Sequence, residues 1–518
     1  MKKIAIIFFM IILSGCATVR FKGQPLAANP KDSKINELNE IQLNQWSRLD
    51  LSNDKIPGMS INRAYSELIK EKEGKQVIVA VIDSGIDIEH EDLFENIWVN
   101  SNEIPNNNID DDKNGYVDDI NGWNFLGESQ NENLEYIRLL KKTDPESILF
   151  EEYEQKRQNE INDNNRLINN IKSIENKLKI SEEILKQNFG DKEINLNEVK
   201  SLSSVSSETS DAIRFLEYAK EFSIDQKLIK KALKQCEDAL NYHHNLDFDG
   251  RIVVGDNPDD FSDQNYGNSN VSGPNGTDNS HGTHVAGIIA SKKTGIANNV
   301  KIMALRAVPN GDEYDKDVAL AIRYAVDNGA KIINASFGKS YSPHSNWVYD
   351  AIIYASKNDV LFIHAAGNDG KNINPGLYPN YPNDFKDGKE ITDNTITVGA
   401  SSWDYSENLI TSFSNYGNIN VDVFAPGHKI YSTVPNNGYE LLDGTSMAAP
   451  NITGIASVLR SFYSKYSASK IKKIILESGI NMHLSLKIPS SNDVENPTYF
   501  SKTGKLANLY NALLYSSN

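Results

Sequence analysis

A chain of 518 residues with 39% hydrophobic and 24% charged residues has the composition of a folded globular protein, with length for one large domain or several small ones. A formal charge of −17 argues against nucleic acid as a partner, because phosphate binding needs basic patches. Only two cysteines are present, Cys16 and Cys236, too few for a disulfide framework.

The N-terminus reads MKKIAIIFFMIILSGCATVR: Lys2 and Lys3, then an apolar run over 4–13, then Leu13-Ser14-Gly15-Cys16. The run is too short for a spanning helix and has the form of a secretory h-region. The segment resembles a bacterial lipoprotein signal (residues 1–15), whose lipobox ends in the cysteine that receives lipid. That resemblance implies cleavage before Cys16, acylation of Cys16, and a protein held on the non-cytosolic face of a cell-envelope membrane. Two acyl chains hold a protein firmly where one does not. An ordinary signal peptide with an incidental cysteine is the alternative. Residues 16–55 are polar without strong periodicity and are expected to form a tether.

QVIVAVIDSGID (76–87) is an apolar, β-branched run of the kind found in buried parallel strands. VKIMALRAV (300–308), AKIINASFG (330–338), VLFIHAAGN (360–368) and TITVGA (395–400) are similar, with helical patterns at 316–328 and 346–357 between them. This alternation predicts the α/β class, with a mostly parallel sheet flanked by helices and sites at the carboxyl ends of its strands. Residues 127–245 differ, being rich in Glu, Lys, Asn and Ile. Leu167, Ile171, Ile174, Leu178 and Leu185 form a heptad-like seam, and 211–241 offers Ile213, Leu216, Phe222 and Ile229 for packing. The expectation is an inserted helical hairpin or small bundle, serving either as a solvated spacer or as an arm for a protein partner. Cys236 within it reads as a buried, inert thiol.

Three segments carry nucleophilic chemistry. VIDSGID ends a strand in Asp83; HGTHVAGIIAS (281–291) opens a helix with His281; GTSMAAP (444–450) sets Ser446 before a run of small residues. A serine at a helix start commonly only caps it. Here the set resembles the three catalytic motifs of the subtilisin-like serine proteases, in the order Asp, His, Ser, over about 56–126 and 246–514. The resemblance implies a three-layer fold over 56–126 and 246–518 and endopeptidase activity on peptide or protein substrates. Ser446 would be the nucleophile, His281 the general base and acid, and Asp83 the group that orients and charges the imidazole. Asn368, in AAGND, matches the residue whose amide donates to the oxyanion. It further implies that substrate binds as an added strand along Gly311–Tyr314 and along Ser336, Phe337 and Gly338, with Ala365, Ala366 and Gly367 walling the pocket for the residue before the cut. Small walls suit an apolar or aromatic side chain. A rival reading is a catalytically silent, surface-anchored scaffold on a protease fold, against which the intact set of four residues speaks.

DDDKNGYVDD (110–119) matches the first nine positions of an EF-hand-like loop, with oxygens from Asp110, Asp112, Asn114 and Asp118, the Tyr116 carbonyl, and Gly115 at the turn. Calcium is therefore the expected cofactor, since carboxylates so crowded repel one another without a cation. Position twelve is Asn121 in place of the usual Glu, and Asp119 is a candidate substitute. Asp247, Asp249 and Asp256 form a weaker acidic patch that binds a cation or only solvates the chain. Asp92 matches a family calcium ligand, but the loop that would complete that site is shortened to SKKTGIANN (291–299), so the site is not carried over. About forty residues separate Cys16 from the resemblance, too few for the long pro-domain of many secreted relatives. Asn451 is expected only to tune packing. The helical segment lies between Asp83 and His281 in sequence, which allows it to restrict the cleft, recruit substrates or inhibit.

Overall fold

The computed structural model describes residues 19–28, 37–190, 206–222, 224–274 and 279–517; Cys16 and the expected signal lie outside them. Among the described residues no helix is long and apolar enough to cross a membrane.

The chain builds its sheet from β1 (Val77–Asp83) and β2 (Gly122–Asn124). Four helices follow: α1 (Glu135–Lys142), α2 (Ile148–Phe189), α3 (Ser207–Glu221) and α4 (Gln226–Asp238). Then come α5 (Ser280–Ala290), β3 (Val300–Arg306), α6 (Asp315–Asp327), β4 (Ile332–Ala335), α7 (Ser345–Lys357), β5 (Leu361–Ala365) and β6 (Thr395–Ser401). The last part holds β7 (Val423–Pro426), the hairpin β8 (Ile430–Val434) and β9 (Gly438–Leu442), α8 (Thr445–Phe462), α9 (Ala468–Ser478), β10 (Ile480–Asn481), β11 (Lys505–Leu506) and α10 (Leu509–Ser516). Nine strands form one sheet in the order β10-β11-β7-β6-β5-β4-β1-β3-β2, parallel except for the β10–β11 pair.

β1 sits between β3 and β4, with Val79 opposite both Ile302 and Ile332. Because side chains alternate along a strand, Val79 and Val81 enter one core with α5 and α8, while Ala80 and Ile82 enter the other with α6 and α7. A strand covered on both faces must be apolar throughout, which is why the β-branched runs were legible. α8 is buried nearly all round. A Cβ added at Gly454 would lie 2.6 Å from Ile296 Cβ, so small residues let this helix pass through the middle of the domain.

The structure departs from the expected tether. Phe21 stacks edge-on against Phe462 at 5.4 Å, and its backbone N–H donates to Ser517 Oγ at 2.8 Å. Trp46 is fully buried, with Nε1 donating to the His428 carbonyl at 2.9 Å. The described parts of 16–55 are therefore docked on the domain by isolated aromatic anchors, which leave no periodic trace in sequence.

The described residues of 127–245 are mainly helical, with local differences from the expected pattern; 191–205 and 223 lie outside the described residues. The seam of α2 holds Ile171, Leu178 and Leu185, all buried, but Leu167 is 49% exposed and Ile168 takes its place against the arm core. The continuous stretch expected at 211–241 is broken into α3 and α4, with Asp225 capping α4 through the Leu228 N–H at 2.7 Å. Phe222, in the break, is exposed, while Cys236 is buried as expected.

Candidate active site

Asp83 ends β1, His281 is the second residue of α5, and Ser446 is the second residue of α8, so one sheet edge and two helix starts bring them together. Asp83 is almost fully buried, and its Oδ1 accepts from His281 Nδ1 at 2.7 Å and from the Ser84 N–H at 2.8 Å. This fixes the Nδ1–H tautomer and leaves Nε2 as the basic atom. Burial pushes the imidazole pKa down, but the adjacent Asp83 carboxylate outweighs it and holds the pKa above its ordinary value. Gly282 is required here: a Cβ would strike the Gly85 carbonyl and lie 3.0 Å from Asp83 Cβ.

Ser446 Oγ donates to the Ser336 carbonyl at 3.0 Å, and Ser336 Oγ returns a bond to the Ser446 carbonyl at 2.9 Å. Ser446 is thus tied to the segment that follows β4. Asn368 is held by its acceptor end, its Oδ1 taking the Thr445 N–H at 2.8 Å and Thr445 Oγ1 at 3.0 Å. Its amide donor therefore faces the other way. A Cβ built at Gly444, which has φ +150°, would lie 3.5 Å from Asn368 Nδ2 and 3.5 Å from the Ser446 nitrogen. Two donors thus converge on a space kept open by a glycine, the requirement for holding an oxyanion.

These residues line a cavity of about 750 Å³ together with Gly311–Glu313 on one wall and Ser336, Phe337, Gly338, Ala365 and Gly367 on the other. Two expected lining residues face elsewhere. Ala366 is fully buried, and only its carbonyl serves the wall, accepting from Asn380 Nδ2 and Asn415 Nδ2. Tyr314 turns away to stack under the Arg138 and Arg251 guanidinium groups. The backbone of Asn310 is already paired with the chain itself, donating to the Gln130 carbonyl and accepting from the Glu132 N–H.

Supporting residues escaped the sequence reading. Asn334 donates to Ser336 Oγ at 2.9 Å and accepts from Thr453 Oγ1 at 2.7 Å, joining β4 to α8 beneath the nucleophile. A fully buried Asn in an apolar strand was the available signal. Lys339, next to Gly338, is buried and reaches Glu135 Oε2 at 2.8 Å, Asp315 Oδ1 at 2.9 Å and the Glu313 carbonyl at 2.7 Å. Arg138 donates to the Asp312 carbonyl at 2.8 Å and the Glu313 carbonyl at 3.1 Å. Together they tie the two cleft walls to α1.

In the acidic loop, the carboxylates of Glu103, Asp112 and Asp119 converge, each offering an oxygen within 4.8 Å of the others. Asn114 lies in the same turn and donates to both Asp112 and Asp119. Asp110 accepts from the Asn114 and Gly115 N–H groups. Asp118 is turned aside to cap the Asn107 and Asn108 N–H groups, and the Tyr116 ring packs against Trp123 and Tyr324. Glu103, too distant in sequence for the loop pattern, takes the place expected of Asp118. Burial and the neighbouring Asp112 push the Asp119 carboxyl up to about 6, against hydrogen bonds from Tyr324, Asn114 and Asn100. An all-oxygen set of this charge fits a hard divalent cation. In the weaker patch Asp256 pairs with Arg251 and Lys316, each at 2.6 Å, Asp249 accepts from the Arg251 N–H, and the Asp247 backbone N–H donates to Asn245 Oδ1. Asp92 accepts from the Tyr439 hydroxyl and forms a long ion pair with Lys293 at 3.9 Å.

The sequence profile described as "Subtilase family" matches residues 74–504. The chain belongs to the subtilase family. Among relatives, it is 36% identical to the thermophilic serine proteinase of Bacillus sp. (strain AK1) over 43% of this chain and 51% of that one. It is 40% identical to thermitase of Thermoactinomyces vulgaris over 38% of this chain and 66% of that one. With subtilisin DY of Bacillus licheniformis it shares 34% identity over 39% of this chain and 72% of that one. The chain thus spans between about half and two thirds of the first two relatives' length. In this subtilase all four residues of the expected catalytic set meet at one cavity.

Proposed function

We propose that this subtilase is a serine endopeptidase, anchored to an envelope membrane by lipid on Cys16 and stabilised by calcium. The observation that carries the hydrolytic reading is the convergence of Asn368 Nδ2 and the Ser446 N–H on the space beside Gly444, next to the Asp83–His281 pair. A peptide laid between Gly311–Glu313 and Ser336–Gly338 offers a backbone N–H to the Ser336 carbonyl. That displaces the Ser446 hydroxyl, whose proton then passes to His281 Nε2 as Oγ attacks the scissile carbonyl. The new oxyanion is met by the two donors at Gly444. Imidazolium, stabilised by Asp83, returns the proton to the leaving amine, the C–N bond breaks, and water releases the acyl group by the same route.

Glu103, Asp112 and Asp119 would hold the calcium ion, which would supply charge compensation to the loop ahead of β2. The lipobox-like sequence ending in Cys16 supports the anchor and the non-cytosolic location. A fluorophosphonate probe should label the full chain and not Ser446→Ala; no labelling of folded protein would favour a silent scaffold. Incorporation of a fatty-acid analogue, lost in Cys16→Ala, tests the anchor.

A further inference from the structure

Building on the endopeptidase reading, we propose that α4 is a third wall of the substrate channel and that its basic stripe selects peptides with acidic side chains near the cut bond. α4 is fastened across the cleft at both ends. Lys227 pairs with Glu440 at 2.7 Å, on the hairpin that leads into Ser446. Asp238 accepts from Asn310 Nδ2 at 2.9 Å, next to the Gly311–Glu313 wall. Thirteen residues of helix span about 20 Å, enough to cross the site.

Between these ends, Lys231, Lys234 and Gln235 line the same cavity as Asp83, His281 and Ser446, joined by Lys156 of α2. Positions 231, 234, 235 and 238 follow the spacing of a single helix face. The opposite face, with Ile229, Leu233 and Cys236, is packed into the arm core, so the orientation of the stripe is fixed by burial. Lys231 and Lys234 are themselves exposed.

The acidic groups facing this space are already engaged. Asp238 is held by Lys234 at 2.6 Å and by Asn310, Asp312 accepts the Glu135 N–H at 2.7 Å, and Asp369 accepts from Asn415 at 3.1 Å. Burial, with Asp312 beside it, holds the Glu313 carboxyl well above the usual carboxylate range, against the pull of Lys339. In a protein of net charge −17, Lys156 and Lys231 thus line the space where an extended peptide would lie, beside the Lys234–Asp238 pair. Charges placed this way choose partners by complementarity.

The test uses the full chain and two quenched fluorescent peptides, identical except for Glu or Lys on both sides of the cleavable bond. The Glu peptide should show the higher kcat/KM, by about 1.5- to 5-fold for each lysine engaged, with the ratio shrinking towards one in 0.5 M salt, where the Debye length falls to a few ångström. Lys231→Gln with Lys234→Gln should abolish the ratio and the corresponding double Glu variant should invert it, with helix content checked by circular dichroism. Equal rates for both peptides, or a ratio unchanged in both variants, would overturn the role of α4 while leaving the endopeptidase reading intact. Absence of both cleavage and fluorophosphonate labelling would overturn both.

Discussion

Replacing Lys339 with methionine should weaken the domain at the point where its two substrate walls are joined. Lys339 is 5% exposed and sits between Glu135 and Asp315, so the change removes a buried cation and leaves two carboxylates behind. Burial pushes the Glu135 carboxyl up, yet Arg138 and then Lys339 outweigh it and bring the pKa from 4.5 down to about 2. A lowering of that size corresponds to about 3 kcal/mol of net preference for the charged form, after the cost of burial has been offset by the two cations. Arg138 remains in the variant, but the Asp315 contact is lost as well. Breaking a buried pair typically costs ~3–5 kcal/mol, so a loss of about 3 kcal/mol at pH 7 is expected. Because the folded pKa of Glu135 is depressed, its contribution is complete above about pH 4.5 and disappears as pH falls towards 2. The gap between the variant and its parent should therefore narrow on acidification. Urea unfolding in a Ser446→Ala background, which removes self-digestion, measures both quantities. A loss below about 1 kcal/mol, the range of an exposed pair, or a gap that does not change with pH, would refute the view that Lys339 is an anchoring charge. Adding Asp315→Asn to the variant should recover part of the loss, since Asp315 is the carboxylate that loses its ion pair with Lys339 while Glu135 keeps Arg138.

Asn368→Ala should lower kcat by about 10²–10³ with little change in KM, because the amide is used only by the oxyanion; steady-state kinetics on one peptide decides it. The acid limb of kcat/KM should lie above the ordinary histidine pKa, since His281 must be neutral to act and Asp83 holds its proton. In Asp83→Asn that limb should move to lower pH. Gly282→Ala should abolish turnover through displacement of Asp83, and a variant with full activity would contradict the close approach to the Gly85 carbonyl. Calcium should raise the Tm of the Ser446→Ala protein, and Asp112→Asn with Asp119→Asn should remove that response in differential scanning fluorimetry.

What the sequence determined by itself was whatever is written locally. β1 is a run of buried β-branched residues because both faces of the sheet are covered, and Asp83, His281, Asn368 and Ser446 stand in short motifs whose chemistry is contained within a few residues. The tertiary structure alone decided which distant groups meet. Glu103 joins Asp112 and Asp119 because the loop folds back around its carboxylate, which caps the Asp111, Asp112 and Asp118 N–H groups. Phe21 and Trp46 dock because single aromatic side chains find partners hundreds of residues away. Lys231 and Lys234, which no local pattern singles out, line the same cavity as Ser446 because the apolar side of α4 is committed to the arm and its ends are tied to Glu440 and Asn310. Side-chain direction follows from the path of the backbone, and that path is set by contacts no local pattern records.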